Sequence, residues 1–197
     1  MALGRPREFD ADAALDLALH VFWRKGYEGT SMADLTEAMG ITKPSLYAAF
    51  GNKEDLFRKA LDRYVDGPGG YYQAGLQKPT AREVVEHILY GAVAAMTDPS
   101  NPGCLAVQGA LCCGEAAETI KQELAARRAK GEQDLQDRLA RAITDGDLPA
   151  TADAGDLARY VSAILQGMAV QAASGASSDQ LRKLADMALR NWPPCNA

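Results

Sequence analysis

Apolar positions along this chain recur every three to four residues rather than every two. Leu15, Ala18, Leu19 and Phe22 follow an i, i+3, i+4, i+7 spacing behind Asp10. That spacing predicts a helix capped by the aspartate and ended by Gly26, after Arg24 and Lys25. Ser31, with Asp34 three residues on, predicts a second helix that turns Leu35 and Met39 inward and stops at Gly40. In the stretch "GITKPSLYAAFGNKEDLF", residues 40–57, Thr42 caps a third helix. Pro44 then falls in the first turn, where its missing N–H had no helical partner to lose. Leu46, Ala49 and Phe50 share the inner face of this helix, and Gly51 ends it. Asn52 with Asp55 caps a fourth helix reaching about Asp66.

The same period continues to the end of the chain. Thr80 and Glu83 form a capping box before Val84, Val85, Ile88, Leu89, Ala92 and Met96, and "DPSNPG" breaks that helix. Further helices are expected over about 104–113, 115–145, 154–173 and 178–192. The long one turns Ile120, Leu124, Leu135, Leu139 and Ile143 inward and holds Gly131, where a kink or a ligand's approach is expected. Strong β-formers occur mostly singly, while Ala, Leu, Glu, Arg and Gln dominate. An all-α fold is therefore predicted.

Two short helices joined by a tight turn at Gly40 and propped by a longer first helix make a helix-turn-helix, whose second member enters a DNA major groove. A groove-reading helix must be short and anchored from behind. Its apolar face is narrow, and Lys43, Ser45 and Tyr47 point away from it.

Composition alters this picture little. The 197 residues carry a net charge of −5, and residues 1–65 hold nine Lys and Arg against ten Asp and Glu. Bulk charge thus gives no sign of a nucleic-acid partner, and the local placement carries the signal. The arm "MALGRPR" has Arg5 and Arg7 and no acid. No apolar run reaches the roughly 18 residues of a membrane span, and no basic-then-apolar leader opens the chain, so a cytosolic protein without a membrane partner is expected. Cys104, Cys112, Cys113 and Cys195 match neither a disulfide framework nor a paired zinc motif, and reduced thiols are expected. No Ser/His/Asp or Cys/His set, phosphate-cradling loop or metal motif is present, so neither an enzyme nor a cofactor is expected.

Residues 4–57 resemble the DNA-binding domain of the TetR/AcrR family of bacterial transcriptional regulators. The resemblance is carried by "GRPREFD" and "VFWRKGYEGTSMADLTEAMGITKPSLYAAFGNKEDLF", with Thr36 as a departure where the family often has a small apolar residue. It implies an arm and helix-turn-helix over 1–51, a connecting helix over 52–66, and a helical effector-binding and dimerisation domain over 67–197. It also implies roles that side-chain chemistry supports. Thr30 and Ser31 would meet a phosphate at a helix start, and Thr42, Lys43, Pro44, Ser45 and Tyr47 would form the reading face. Lys53 would pair with a phosphate, while Arg5 and Arg7 would enter the minor groove or track the backbone. Leu46, Phe50, Trp23 and Phe22 are core.

The larger part is expected to hold a pocket walled by Tyr64, Tyr72, Leu89, Met96, Gln108, Leu111, Cys112, Tyr160, Ile164 and Met168. These walls suit a small hydrophobic effector with one or two polar handles. By resemblance the final hairpin pairs with its twofold copy through Leu157, Val161, Leu165, Leu181, Leu184, Ala188 and Trp192. The homodimer would read a pseudo-palindromic, double-stranded operator as a repressor released by its effector. Two other readings are a regulator sensing oxidants or electrophiles through Cys104, Cys112 or Cys113, and a helical interaction module without DNA binding. Against the former, Cys104 and Cys113 would lie on opposite helix faces.

Overall fold

The computed structural model describes residues 9–111 and 117–194, leaving undescribed the side chains of residues 109–111. Arg5, Arg7, Cys112, Cys113 and Cys195 lie outside the described residues, as does the expected helix start at 115. Among the described residues there are ten helices and no strand: α1 (Ala11–Gly29), α2 (Met32–Met39), α3 (Lys43–Phe50), α4 (Lys53–Asp66), α5 (Tyr71–Leu76), α6 (Ala81–Met96), α7 (Leu105–Leu111), α8 (Glu118–Thr144), α9 (Ala154–Ala173) and α10 (Ser178–Arg190).

The caps form where the side chains required them. Asp10 accepts from the Asp12 and Ala13 N–H groups at the start of α1. Ser31–Asp34, Asn52–Asp55 and Thr80–Glu83 each form a reciprocal capping box. Each such cap stabilises its helix by about 1 kcal/mol. At Gly26 the backbone leaves helical geometry, with φ 69° and ψ 175°, so the expected stop is a kink followed by one more turn. Gly51 ends α3 at φ +81°, and a Cβ there would stand 2.5 Å from Asp55 Oδ2, the carboxylate that caps α4. Both torsion and space require glycine at this junction, and α3 is short as a result.

Helix α5 is not visible in the pattern, because Gly70 and Gly75 interrupt the apolar spacing and no side chain caps its start. It forms through close packing on α6. A Cβ on Gly75 would lie 2.5 Å from Ile88 Cγ1, and one on Gly91 would lie 2.6 Å from Tyr71 Cβ. One glycine on each helix lets the backbones approach. Gly75→Ala is therefore expected to lower stability by about 1–3 kcal/mol through overpacking, outweighing a helix-propensity gain of about 1 kcal/mol. Calorimetry should show a melting temperature lower by roughly 2–12 °C. An unchanged or raised value would mean that α5 relaxes off Ile88 without penalty.

One apolar core runs from Ala14 to Trp192. Phe22 meets Phe57 edge-on at 5.0 Å, and Trp23 meets Tyr64 at 4.8 Å, joining α1 to α4. Outside this contact Arg63 donates twice to Asp16, at 2.7 and 2.9 Å. The guanidinium holds the Asp16 carboxyl below the usual carboxylate range. In the body, α6 packs on α5, α9 and α10, while α8 packs on α7 and α9.

Two expectations are corrected here. Ala49 is exposed, because a short helix braced through Leu46 and Phe50 leaves it at the edge of the buried face. Val161, Leu165, Leu181, Ala188 and Trp192, expected at an interface, are buried within the protomer. The α9–α10 hairpin lies on α6, and α9 also lies on α8, so its most apolar face is used within the chain. Its outer face instead carries Tyr160, Val170 and Met187, exposed at 40%, 43% and 54%. Leu157 and Leu184 are partly buried between the two.

Candidate nucleic-acid interface and effector pocket

Helix α3 is held from behind by Leu46 and Phe50, both buried. Its outer side presents Thr42, Lys43, Pro44, Tyr47, Ala48 and Ala49 to solvent, with Ser45 partly covered. Tyr47 is 45% exposed although it is a large aromatic, and Lys43 Nζ lies 5.9 Å from its ring centroid. Thr42 caps the helix by accepting from the Ser45 N–H at 3.3 Å, and the two hydroxyls are 2.9 Å apart. No acid sits in the first turn of α3. The helix dipole and Lys43 therefore leave this end positive, as an anionic partner requires. Ala48, which sequence reasoning did not single out, and Ala49, which it expected inside, add two small exposed side chains to this face.

Around α2 the geometry departs from expectation. Thr30 is only 1% exposed, and its hydroxyl donates to the Gly26 carbonyl at 2.6 Å across the kink. It closes the end of α1 and cannot reach a phosphate. At Ser31 both the N–H and the hydroxyl donate to Asp34, each at 2.8 Å, and Lys25 reaches the same carboxylate at 2.5 Å. These bonds push the Asp34 carboxyl far below its usual range. The start of α2 thus carries its own anion. Lys53, the first residue of α4, has its ammonium 4.4 Å from the Tyr27 ring centroid, and burial lowers its pKa while Glu28 and Asp34 oppose that shift.

A cavity of about 520 Å³ opens in the body between α4, α5, α7, α8 and α9. Of the expected walls it includes Tyr64, Tyr72 and Met96. Leu89 and Met168 are instead fully buried core, Ile164 packs against that core, and Tyr160 faces outward, because the packing of α9 on α6 and α8 rotates these positions away from the cavity. Gln108 caps the Pro102 carbonyl at 3.1 Å and is not a wall, and the side chain of Leu111 is outside the described residues. Reasoning from the sequence missed Tyr71, Cys104, Val107, Arg127, Arg128 and Leu165 as walls. Tyr71 was hidden with α5, while the basic residues read as a solvated face. Gly131 does line the cavity, and its carbonyl accepts from the Tyr72 hydroxyl at 2.8 Å.

Polar groups connect this cavity to the reading end. The Tyr64 hydroxyl donates to Cys104 Sγ at 3.2 Å, so Trp23 on α1, Tyr64 on α4 and the Cys104 thiol are in successive contact. Burial raises the pKa values of Tyr64, Tyr71 and Tyr72, and all three phenols remain donors. On α8, Glu123 accepts from Arg58 Nε at 2.7 Å and from Arg127 at 3.1 Å. Arg127 also reaches Asp62 at 2.7 Å. Two cavity walls are thereby clasped directly to α4. Among the described residues no group of three His, Cys, Asp or Glu side chains could hold a metal ion, and no helix is long and apolar enough to cross a membrane.

A short exposed helix braced by α2 and α4, ahead of an all-helical body, is the arrangement of a helix-turn-helix transcriptional regulator. The chain belongs to the TetR family: residues 14–60 match the domain described as bacterial regulatory proteins, tetR family. Over 195 residues it is 39% identical to the HTH-type transcriptional repressor ComR of Escherichia coli strain K12, spanning 96% of this chain and 92% of that one. It is 30% identical to the repressor BdcR of the same strain, over 94% of this chain and 90% of BdcR. Among solved structures it is similar to the TetR family regulator CifR, a cysteine mutant complexed with 26-bp double-strand operator DNA. The identity is 44% and the TM-score 0.90, covering 96% of this chain and all of that one.

Proposed function

We propose that the protein is a cytoplasmic homodimeric repressor that binds a pseudo-palindromic operator and leaves it when a small, largely apolar effector enters the 520 Å³ cavity. The observation that carries this reading is the outer face of α3, where Lys43, Ser45 and Tyr47 stand on a helix anchored by Leu46 and Phe50. Lys43 and Ser45 would reach base edges, Tyr47 a phosphate or thymine methyl, and Lys53 a phosphate on leaving the Tyr27 ring. Arg5 and Arg7 would follow the minor groove. Residues 1–51 then act as the reading domain, 52–66 as the connecting helix, and 67–197 as the effector and dimer domain. The names of ComR and BdcR as repressors, and the operator-bound form of CifR, support this assignment.

For the dimer, the outer face of α9 and α10 with Tyr160, Val170 and Met187 replaces the buried residues first expected. For release, the clasp from Glu123 and Arg127 to α4 supports a simple coupling. An effector that disturbs those walls shifts α4, and with it the spacing of two recognition helices. A second reading, thiol sensing, is favoured by the position of Cys104 on the cavity wall, where it accepts from Tyr64.

Fluorescence anisotropy on labelled DNA from upstream of the gene, with scrambled competitor and a salt series, tests the reading. Competitor-resistant binding is expected, with log affinity falling against log salt by roughly 0.9 per phosphate neutralised. Equal affinity for operator and scrambled DNA across all upstream fragments would favour an interaction module instead.

A further inference from the structure

The charges around the cavity do not cancel pair by pair. Three carboxylates line it, and each is engaged: Glu123 with Arg58 and Arg127, Glu132 with Arg159 at 3.6 Å, and Asp134 with Lys130. Three cations line it too, and two of them, Arg127 and Lys130, belong to those same pairs. Arg128 is left over. Among the described residues no carboxylate lies within ion-pair distance of it, and one guanidinium N–H donates to the Ala106 carbonyl on α7 at 2.9 Å. An arginine carries five N–H donors, so most of its fork has no partner among the described residues.

A second group points the same way. Tyr71 lines the cavity and its hydroxyl makes no hydrogen bond among the described residues, whereas those of Tyr64 and Tyr72 are donated to Cys104 and Gly131. Burial keeps the Tyr71 phenol protonated, so it too offers a donor. Among the described residues the cavity thus offers a cationic donor without an opposing carboxylate, alongside the neutral polar side chains of Gln73, Ser162 and Gln166. Apolar wall is supplied by Met96, Val107, Leu165 and the faces of the tyrosine rings.

Resting on the reading of this cavity as the effector pocket, we propose that its ligand is an apolar carboxylate, with the acid group held by Arg128 and assisted by Tyr71 and an aliphatic or aromatic body among the apolar walls. A planar carboxylate matches the fork of an arginine bidentately, whereas a neutral polar group of the same size can satisfy only part of it. A cation would meet an unpaired guanidinium and is disfavoured. The bond from Arg128 to α7 already fixes the fork's direction, so little freedom is lost on binding.

The test is titration calorimetry of the purified full chain, without DNA, using octanoate and phenylacetate against octanamide and phenylacetamide. Each acid is expected to bind about tenfold or more tightly than its amide, the scale of a hydrogen bond to a charged group. Arg128→Gln should erase that preference by weakening acid binding far more than amide binding, Arg128→Lys should restore part of it, and Tyr71→Phe should weaken acid binding by a smaller factor. Equal affinity of acid and amide for the unaltered protein would overturn the proposal, and that comparison needs no variant to fold. Retained preference in a folded Arg128→Gln, or no saturable binding by any of the four compounds, would overturn it as well. Acid binding that leaves the operator complex intact in anisotropy upholds the anion site and overturns the release reading instead.

Discussion

Lys43→Ala is expected to lower operator affinity by about 30-fold or more while leaving the fold intact. One base or phosphate contact of this kind contributes about 1–3 kcal/mol, and the proposed twofold dimer would lose it at both half-sites. The side chain is exposed at the first position of α3 and makes no hydrogen bond or ion pair among the described residues, touching only the edge of the Tyr47 ring field at 5.9 Å. Its removal should therefore change stability by less than about 0.5 kcal/mol. The salt slope should also become shallower by about one unit per subunit if the lysine meets a phosphate. Leu46→Ala, three residues along the same helix, makes the contrast. Leu46 is fully buried, and truncation is expected to cost roughly 2–5 kcal/mol of stability. Anisotropy paired with thermal melts separates the two, and an unimpaired Lys43→Ala on the operator would remove α3 from the interface.

Charge placed on the outer face of the last hairpin is expected to have an effect as large. Val170→Glu combined with Met187→Glu should convert the proposed dimer to monomers in sedimentation, with operator binding reduced to that of a half-site. A stable dimer buries on the order of 1,600 Å² in total, with its centre depleted of charge. Among the described residues Val170 and Met187 are two of six large apolar side chains that remain exposed, and Tyr160 on the same pair of helices is a third. Within the protomer neither residue is buried, so the monomer should keep its melting behaviour. Persistence of the dimer at micromolar concentration would move the interface elsewhere, and the paired spacing of two α3 helices would need another origin.

Legibility differed between the two halves for a physical reason. In the first 66 residues each helix is delimited by local chemistry: a cap at Asp10, Ser31, Thr42 and Asn52, and a positive-φ glycine at Gly26, Gly40 and Gly51. Such signals act within four residues and can be read without knowing any neighbour. The exposed face of α3 follows from them, because a helix of eight residues with two buried anchors has only one other side. Thr30 was misread because its hydroxyl could serve a phosphate or the end of α1, and only the kink at Gly26 decides between them.

The body offered no comparable rule. The boundaries of α6, α9 and α10 were legible to within a residue or two, since their caps and periods are strong. Which face of each meets a cavity, the core or a second chain was not, because an apolar stripe states that it is buried and not by what. Val161, Leu181 and Trp192 carried the pattern of an interface and are core, while Met187 and Val170 drew no attention and are exposed. Short α5 appeared only when Gly75 and Gly91 brought it against α6, and with it came Tyr71 as a wall. The basic run at Arg127 and Arg128 likewise looked solvated. By itself the sequence determined an all-α regulator with a short groove-reading helix, since period, caps and glycine stops are local. The tertiary structure alone decided the cavity, the Arg128 on its wall and the outer hairpin face, because these depend on which helix lies against which.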